Sequence, residues 1–173
     1  AEAGYVTSGS AAGMALASAA CLPGTDPERI RRLPDSDGWA NEIVIHRTHR
    51  INYDQMFRVG GGRLVEIGLA AGTERWELEQ AISERTAAVA WIDSRATGGG
   101  ALDAATVIEI AHARDVPVIV DAASTLPPLD HLTRWMRAGA DLVIYSGGKG
   151  LRGPQDSGLL AGRRDLIAAA RAN

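Results

Sequence analysis

The sequence has 173 residues and is poor in several residue types, and each scarcity excludes a class of protein. Its single cysteine, Cys21, cannot form an internal disulfide, and its Ala-rich surroundings are typical of a small buried side chain. A net charge of −3 without any Lys/Arg-rich run gives no basic surface for nucleic acid. Residues 11–22 are apolar but too few to span a membrane, and no basic segment precedes them. A soluble cytoplasmic protein is therefore expected.

Lysine is the scarcest basic residue, because Lys149 is the only lysine among the 18 basic side chains. It stands between glycines shortly after the apolar residues 141–145, where a generic surface charge is not expected. Unlike a guanidinium, a lysine amine can lose its proton and form a Schiff base with an aldehyde. Enzymes hold pyridoxal phosphate in this way, so Lys149 points to that cofactor. A loop lysine that happens to be unique is the alternative.

Short runs rich in Val and Ile alternate with helical patterns, which predicts an α/β fold. Helices are expected on both faces of a mostly parallel sheet, giving a three-layer α/β/α arrangement in one domain. Strands are predicted at residues 42–46, 63–67, 87–92, 117–120, 141–145 and 157–161. Helices are predicted near residues 7–22, 53–59, 74–85, 102–114 and 130–138, and from residue 163 onward. A polar, irregular segment is predicted for residues 23–41.

Polar residues follow the predicted strands, and ligands of such sheets bind beyond the carboxyl ends of the strands. Asp121 follows one strand and would pair with the pyridine nitrogen, so that the ring accepts electrons; a turn residue is the alternative. Ser146, three residues before Lys149, would donate a hydrogen bond to the cofactor phosphate. A P-loop fits this segment poorly, because Gly150 stands where that motif has Ser or Thr.

The segment that opens the first predicted helix has the composition of a phosphate site. Its hydroxyls and free backbone N–H groups would lie at the positive end of the helix dipole. An ordinary helix N-cap is the alternative. The segment lacks the first glycine of the dinucleotide-binding fingerprint. Its residues are Thr7, Ser8, Gly9 and Ser10.

Residues 141–167 resemble the lysine segment of fold-type I pyridoxal phosphate (PLP) enzymes. The likeness is to the selenocysteine synthase-like branch, which includes D-glucosaminate-6-phosphate ammonia-lyase. Residues 118–124 resemble its aspartate strand, residues 7–12 its phosphate loop, and residues 49–53 with 63–67 the segment between. Members normally carry an N-terminal segment and a small C-terminal domain as well. The resemblance therefore implies that residues 1–173 are the PLP-binding large domain of a PLP-dependent transferase fold, with those two parts absent.

The resemblance also implies a reaction. Lys149 would hold the cofactor and then remove the α-proton of an amino acid or amino-sugar acid, and Asp121 would stabilise the charge spread into the ring. β-Elimination with ammonia release is the expected outcome. One alternative is β-replacement by selenium or sulfur, as in selenocysteine synthase, and a second is a non-catalytic cofactor-binding or scaffold domain. A homo-oligomer, dimer or higher, is expected, with no metal, nucleic acid or membrane as a partner.

Five further side chains are predicted at the site. The resemblance implies that His49 stacks on the pyridine face; a half-buried loop histidine is the alternative. Arg152 and Arg50 are predicted to bind a substrate carboxylate or phosphate, since a guanidinium does so with two parallel hydrogen bonds; a solvated side chain is the alternative for Arg50. Gln155 is predicted to hydrogen-bond a phosphate or only to shape its turn, and Ser124 to contact the ring hydroxyl.

Overall fold

The computed structural model describes residues 1–93 and 99–173. Residues 94–98, which the sequence predicts either to line the substrate side or to form a plain turn, lie outside the described residues. The strands are β1 (Ala3–Thr7), β2 (Glu42–His46), β3 (Arg63–Ile67), β4 (Thr86–Ile92), β5 (Val118–Asp121), β6 (Leu142–Ser146) and β7 (Gly158–Gly162). The helices are α1 (Gly9–Cys21), α2 (Pro27–Arg32), α3 (Gln55–Val59), α4 (Arg75–Ala81), α5 (Ala104–His112), α6 (His131–Ala138) and α7 (Arg164–Ala172), and a 3-10 turn spans Arg47–His49.

The strands form one sheet in the order β1-β7-β6-β5-β4-β2-β3. The pairs formed among β2 to β6 are parallel, whereas β7 is antiparallel to both β6 and β1. Parallel neighbours need crossover connections, and α3, α4, α5 and α6 each lie between two consecutive strands of this set. The predicted mostly parallel sheet is confirmed.

Two hydrophobic clusters, one on each face of the sheet, complete the three layers. Along β5 the side chains alternate, so Val118 and Val120 join the cluster covered by α4, α5 and α6. Ile119 joins the opposite cluster, which α1, α3 and α7 cover. Because side chains in a strand alternate with a period of two, Asp121 follows Ile119 on the α1 face. The three-layer prediction is confirmed, and this alternation fixes which helix faces Asp121.

The sequence missed the first strand and the second helix. Tyr5 and Val6 of β1 are exposed, so this edge strand lacks the buried apolar run by which the inner strands were recognised. Helix α2 is short and has no buried residue, and it begins because the Asp26 carboxylate accepts hydrogen bonds from the N–H groups of Glu28 and Arg29. Helix α4 ends at Ala81, four residues before the predicted end.

The structure also bears on membrane, metal and thiol chemistry. Among residues 1–93 and 99–173, no helix combines the length and apolarity needed to cross a bilayer. The same residues contain no group of three or more His, Cys, Asp or Glu side chains placed to hold a metal ion. Cys21 packs against the α1-side cluster, and burial raises the pKa of its thiol to about 12. The thiol is therefore protonated and unreactive near neutral pH.

Candidate functional site

A cavity of about 740 Å³ opens at the carboxyl edge of the sheet. It lies between the start of α1, the turn before α3, the end of β5 and the loop that joins β6 to β7. The predicted site residues that line it are Ser8, Gly9, Ser10, Asp121, Ser124, Ser146, Lys149 and Gln155. Segments far apart in the sequence thus meet at one cavity.

The start of α1 forms one end of the cavity. Gly9 has φ +83°, a backbone conformation that favours glycine, and the Thr7 hydroxyl donates to its carbonyl at 2.8 Å. A Cβ on Gly158 would lie within 2.6 Å of the Gly9 carbonyl oxygen, so a glycine there lets β7 approach this turn. The N-cap Ser8 makes no side-chain capping hydrogen bond, and the first turn contains no acidic residue. The N–H groups of the first turn are therefore available to an anion.

Thr7 itself does not line the cavity. It is the buried last residue of β1, and its hydrogen bond to the Gly9 carbonyl stabilises the turn that opens α1.

Asp121, the last residue of β5, lines the cavity. It is 6% exposed, and the one hydrogen bond its carboxylate accepts within the described part of the chain comes from the N–H of Ala123, at 2.9 Å. Burial raises the pKa of Asp121, while that hydrogen bond and the nearby Lys149 charge oppose the rise. The carboxylate therefore has capacity for a further proton donor in the cavity.

Lys149 projects from a compact loop. The Gly147 N–H donates to the Ser157 carbonyl at 2.7 Å, and the Gly153 N–H donates to the Gly147 carbonyl at 2.8 Å. A Cβ on Gly148 would lie 2.6 Å from the Gln155 Cα. A Cβ on Gly150, on the other side of the lysine, would overlap the Leu126 carbonyl oxygen. Lys149 is exposed, and close packing of the glycine backbone on both sides of it fixes its position.

The structure does not place His49 among the lining residues. Its side chain is 3% exposed, and its Nδ1 accepts the N–H of Ile92 at 3.2 Å. The ring lies edge-on to Trp91, with centroids 5.1 Å apart, and burial lowers its pKa to about 4. The imidazole is thus neutral with its proton on Nε2. Its stacking on a cofactor stays a prediction.

The two predicted arginines also lie outside the lining. Arg50 pairs with Asp54 through Nε and Oδ2 at 2.5 Å, and its Nη1 pairs with Glu66. Arg152 is exposed on the lysine loop, with φ +54°. Their roles in substrate binding stay predictions. Within the described part of the chain, Lys149 is the only basic side chain that lines the cavity.

Several lining residues were not predicted as site residues. Asn52 and Tyr53 come from the turn between the 3-10 turn and α3, and Asp156 follows Gln155 on the lysine loop. The sequence predicts roles for His49 and Arg50 but includes residues 51–53 only through the family resemblance. No residue type or spacing in the turn signals that it reaches the edge of β5, since that proximity depends on the tertiary fold.

The sequence and fold are similar to those of known proteins. A family model described as aminotransferase class-V matches residues 6–172. The chain is 41% identical to the D-glucosaminate-6-phosphate ammonia lyase of Salmonella typhimurium, covering 99% of the chain and 47% of that protein. It is 47% identical to a 5'-C-glycyluridine monooxygenase-decarboxylase of a Streptomyces species, covering 95% of the chain and 42% of that protein.

More distant similarity extends to an L-seryl-tRNA(Sec) selenium transferase of Geobacter metallireducens, at 29% identity over 97% of the chain and 37% of that protein. A solved structure of a D-glucosaminate-6-phosphate ammonia-lyase matches the fold with a TM-score of 0.94 at 41% identity, covering 99% of this chain and 47% of that one. The chain thus spans about half the length of the first two relatives.

Proposed function

The chain belongs to the aminotransferase class-V family of pyridoxal 5'-phosphate enzymes, and we propose that it contributes the cofactor site of a PLP-dependent ammonia-lyase. The predicted resemblance to the selenocysteine synthase-like branch and the predicted fold-type I architecture are both confirmed. One observation carries the proposal: Lys149, the buried Asp121 and the uncapped start of α1 line the same cavity. Residues 1–173 would be the PLP-binding large domain of a longer enzyme.

The cavity fits the cofactor at both of its polar ends. The N–H groups of α1, with the hydroxyls of Ser8, Ser10 and Ser146, would hold the phosphate. Asp121 would hold the proton on the ring nitrogen, and that positive charge would offset the cost of burying its carboxylate. Ser124, which also lines the cavity, would contact the ring hydroxyl.

Two residues would carry the chemistry. When bound, the cofactor supplies an electron sink for the electron pair that remains when a bond at the substrate α-carbon breaks. Lys149 would hold the cofactor until substrate displaces the lysine, and its freed amine would then take the α-proton. The compact loop would keep that amine at the cavity, and Asp121 would keep the ring nitrogen protonated throughout.

The proposed reaction is β-elimination from an amino acid or amino-sugar acid. The substrate loses its α-proton and its β-substituent, and water then releases the nitrogen as ammonia and leaves a keto acid. We propose a cytoplasmic homo-oligomer that acts on a small molecule and binds neither nucleic acid nor membrane. The 41% identity to an ammonia lyase supports this choice of reaction.

Cofactor attachment can be tested directly because Lys149 is the only lysine. The protein is incubated with pyridoxal 5'-phosphate, reduced with borohydride and digested, and the modified peptide is identified by mass spectrometry. We expect a visible absorbance band before reduction and one labelled residue, Lys149. The variant Lys149→Arg keeps the charge but cannot condense with the aldehyde, so it should show neither. Equal labelling of this variant would disprove the assignment.

The similarity to a monooxygenase-decarboxylase, at 47% identity, supports a second candidate reaction at the same residues. Oxygen consumption with carbon dioxide release would identify it, whereas ammonia release without oxygen consumption would identify elimination. β-Replacement by selenium or sulfur, which the selenium transferase relative supports, would appear as a product containing the added nucleophile. Cofactor binding without any product would indicate a non-catalytic domain.

A further inference from the structure

The turn between the 3-10 turn Arg47–His49 and α3 has no role in the cofactor assignments above. We infer that Asn52 and Tyr53 on this turn form the substrate-facing wall of the cavity, and that Arg50 is a positioning residue that holds the wall in place. The wall is suited to a hydroxylated carbon chain rather than to an anionic group. This inference rests on the proposed function and names residues that would select its substrate.

The first argument is the construction of the turn. The Asp54 carboxylate is 4% exposed and accepts hydrogen bonds from Arg50 Nε at 2.5 Å, Arg50 Nη2 at 3.2 Å and the Ile51 N–H at 3.0 Å. The Asp54 N–H donates back to the Ile51 carbonyl at 3.0 Å. Arg50 Nη1 also pairs with Glu66 on β3. The turn is therefore closed on itself and attached to the sheet.

The second argument is charge. Asp54 and Glu66 more than neutralise the Arg50 guanidinium, because two carboxylates share one cation. The sequence suggested that Arg50 binds a substrate anion, but its donors already face these acids. The turn presents Ile51, Asn52 and Tyr53 to the cavity. All three are uncharged, and Asn52 and Tyr53 can both donate and accept hydrogen bonds. Such a surface suits hydroxyl groups.

The third argument is exposure. The cofactor assignments use the other three sides of the cavity, namely the start of α1, the end of β5 and the lysine loop. The turn supplies the remaining side, and Tyr53 there is 62% exposed. A cofactor held through Lys149 stays in place over many turnovers, whereas a substrate must exchange with solvent. The exposed wall is therefore the side at which substrate would enter.

The test compares two ligands of equal chain length on the PLP-loaded protein. D-Glucosaminate carries hydroxyl groups, and D-norleucine is a six-carbon amino acid that lacks them. Titration of each against the cofactor absorbance band gives a half-saturation concentration. We expect a preference for D-glucosaminate that falls roughly threefold to tenfold in Tyr53→Phe and in Asn52→Ala, as the loss of one hydrogen bond predicts. Cofactor affinity should not change in either variant.

Arg50→Ala should lower the preference for D-glucosaminate although Arg50 does not line the cavity. Arg50→Lys should lower it as well, since an ammonium cannot make the bidentate pair with Asp54. Glu66→Gln, at the more exposed end of the network, is the milder variant if Arg50→Ala fails to fold. Tyr5→Phe on β1 and Arg58→Ala on α3 are matched controls outside the cavity and should keep the full preference.

Three outcomes would overturn the inference. They are an unchanged preference in the Tyr53 and Asn52 variants, an equal weakening of both ligands by Arg50→Ala, and a loaded protein whose absorbance band neither ligand perturbs. All three leave the cofactor proposal standing. If the unaltered protein fails to take up pyridoxal 5'-phosphate, the proposed function itself is wrong, and this separate measurement distinguishes the two failures.

Discussion

Two aspartates at opposite edges of the sheet are almost equally buried, yet their surroundings differ completely. Asp141 precedes β6 at the amino edge and is 4% exposed. Its carboxylate interacts with the Val118 N–H at 2.8 Å, with His112 Nε2 at 2.8 Å and with Arg163 Nη1 at 3.1 Å. Asp121 ends β5 at the carboxyl edge, is 6% exposed and accepts only the Ala123 N–H in the described structure.

The same contrast extends along both edges. Within the described part of the chain, the buried side-chain polar atoms without a partner belong to His46, Thr48 and Thr73. His46 ends β2, Thr48 follows it, and Thr73 follows β3, so all three belong to the carboxyl edge. A buried polar group without a partner costs free energy. Among the described residues, the buried side-chain polar atoms at the amino edge thus all have partners, and those without a partner lie at the edge where the cavity is.

The largest effect on stability is expected at the amino edge. Asp141→Ala removes the carboxylate that pairs with the Val118 N–H, with His112 and with the Arg163 guanidinium. Its loss should lower the free energy of unfolding by about 2–4 kcal/mol. Urea denaturation measures this change. The control is Asp165→Ala, because Asp165 pairs with the same Arg163 but is exposed, and its loss should cost about 1 kcal/mol or less. Equal losses in both variants would refute the contrast.

At the carboxyl edge the largest structural effect is expected from Gly150→Ala. The added Cβ would overlap the backbone of Leu126, so the lysine loop must shift, at a cost of about 1–3 kcal/mol. Cofactor uptake by Lys149 should fall with it, as measured by the absorbance band. Gly4→Ala is the control, since its Cβ would meet its nearest atom at an ordinary 3.6 Å. Normal cofactor uptake by Gly150→Ala would show that the loop need not be compact.

The inner strands were predictable because each is buried on both faces and reads as a continuous apolar run. Strands β2 and β3 begin and end at the predicted residues, β4 begins one residue earlier than predicted, and β5, β6 and β7 are each shifted by one residue. Strand β1 was missed because Tyr5 and Val6 are exposed, so no burial pattern marks it in the sequence. β1 forms because it pairs with β7, which lies near the other end of the sequence, and its own residues give no sign of that pairing.

The candidate site divides in the same way. Lys149 and Asp121 stand at strand ends with side chains suited to one cofactor, so sequence order and residue type were enough to suggest them. Arg50 and Tyr53 show the limit of that reasoning. The sequence cannot reveal that Asp54 and Glu66 occupy the Arg50 guanidinium, or that a turn distant in sequence brings Tyr53 to the cavity. Both facts depend on tertiary contacts.

Asp121→Asn should have a smaller effect and the opposite sign. Burial raises the folded-state pKa above the ordinary 3.8, so the folded state holds the proton more tightly than the unfolded chain. That contribution to stability is complete below the unfolded pKa and is lost as pH rises through the folded pKa. Asparagine does not ionise, so the cofactor-free variant should be more stable than the unaltered protein at neutral pH.

Thermal melts of the cofactor-free proteins across pH 3–8 test this sign, and the gain should vanish near the acid end. With pyridoxal 5'-phosphate added, the variant should bind less tightly, because the ring nitrogen loses its anionic partner. Asp156→Asn, at an exposed residue of the same cavity, is the control and should change stability little. A destabilised Asp121→Asn variant would mean that the protein stabilises the Asp121 carboxylate as it does the Asp141 carboxylate at the amino edge.

Cys21 provides the smallest expected effect and completes the comparison. It ends α1, the helix whose opposite end forms the cavity, and burial raises its pKa to about 12. Iodoacetamide should therefore label it slowly at pH 7.5 in the folded protein and rapidly in urea, because the thiolate is the reactive form. Cys21→Ala should change the free energy of unfolding by under about 1 kcal/mol and leave the cofactor band intact. Loss of that band would show that a change at the end of α1 affects the cofactor site at its start. That result would contradict the separation of a structural edge from a functional one.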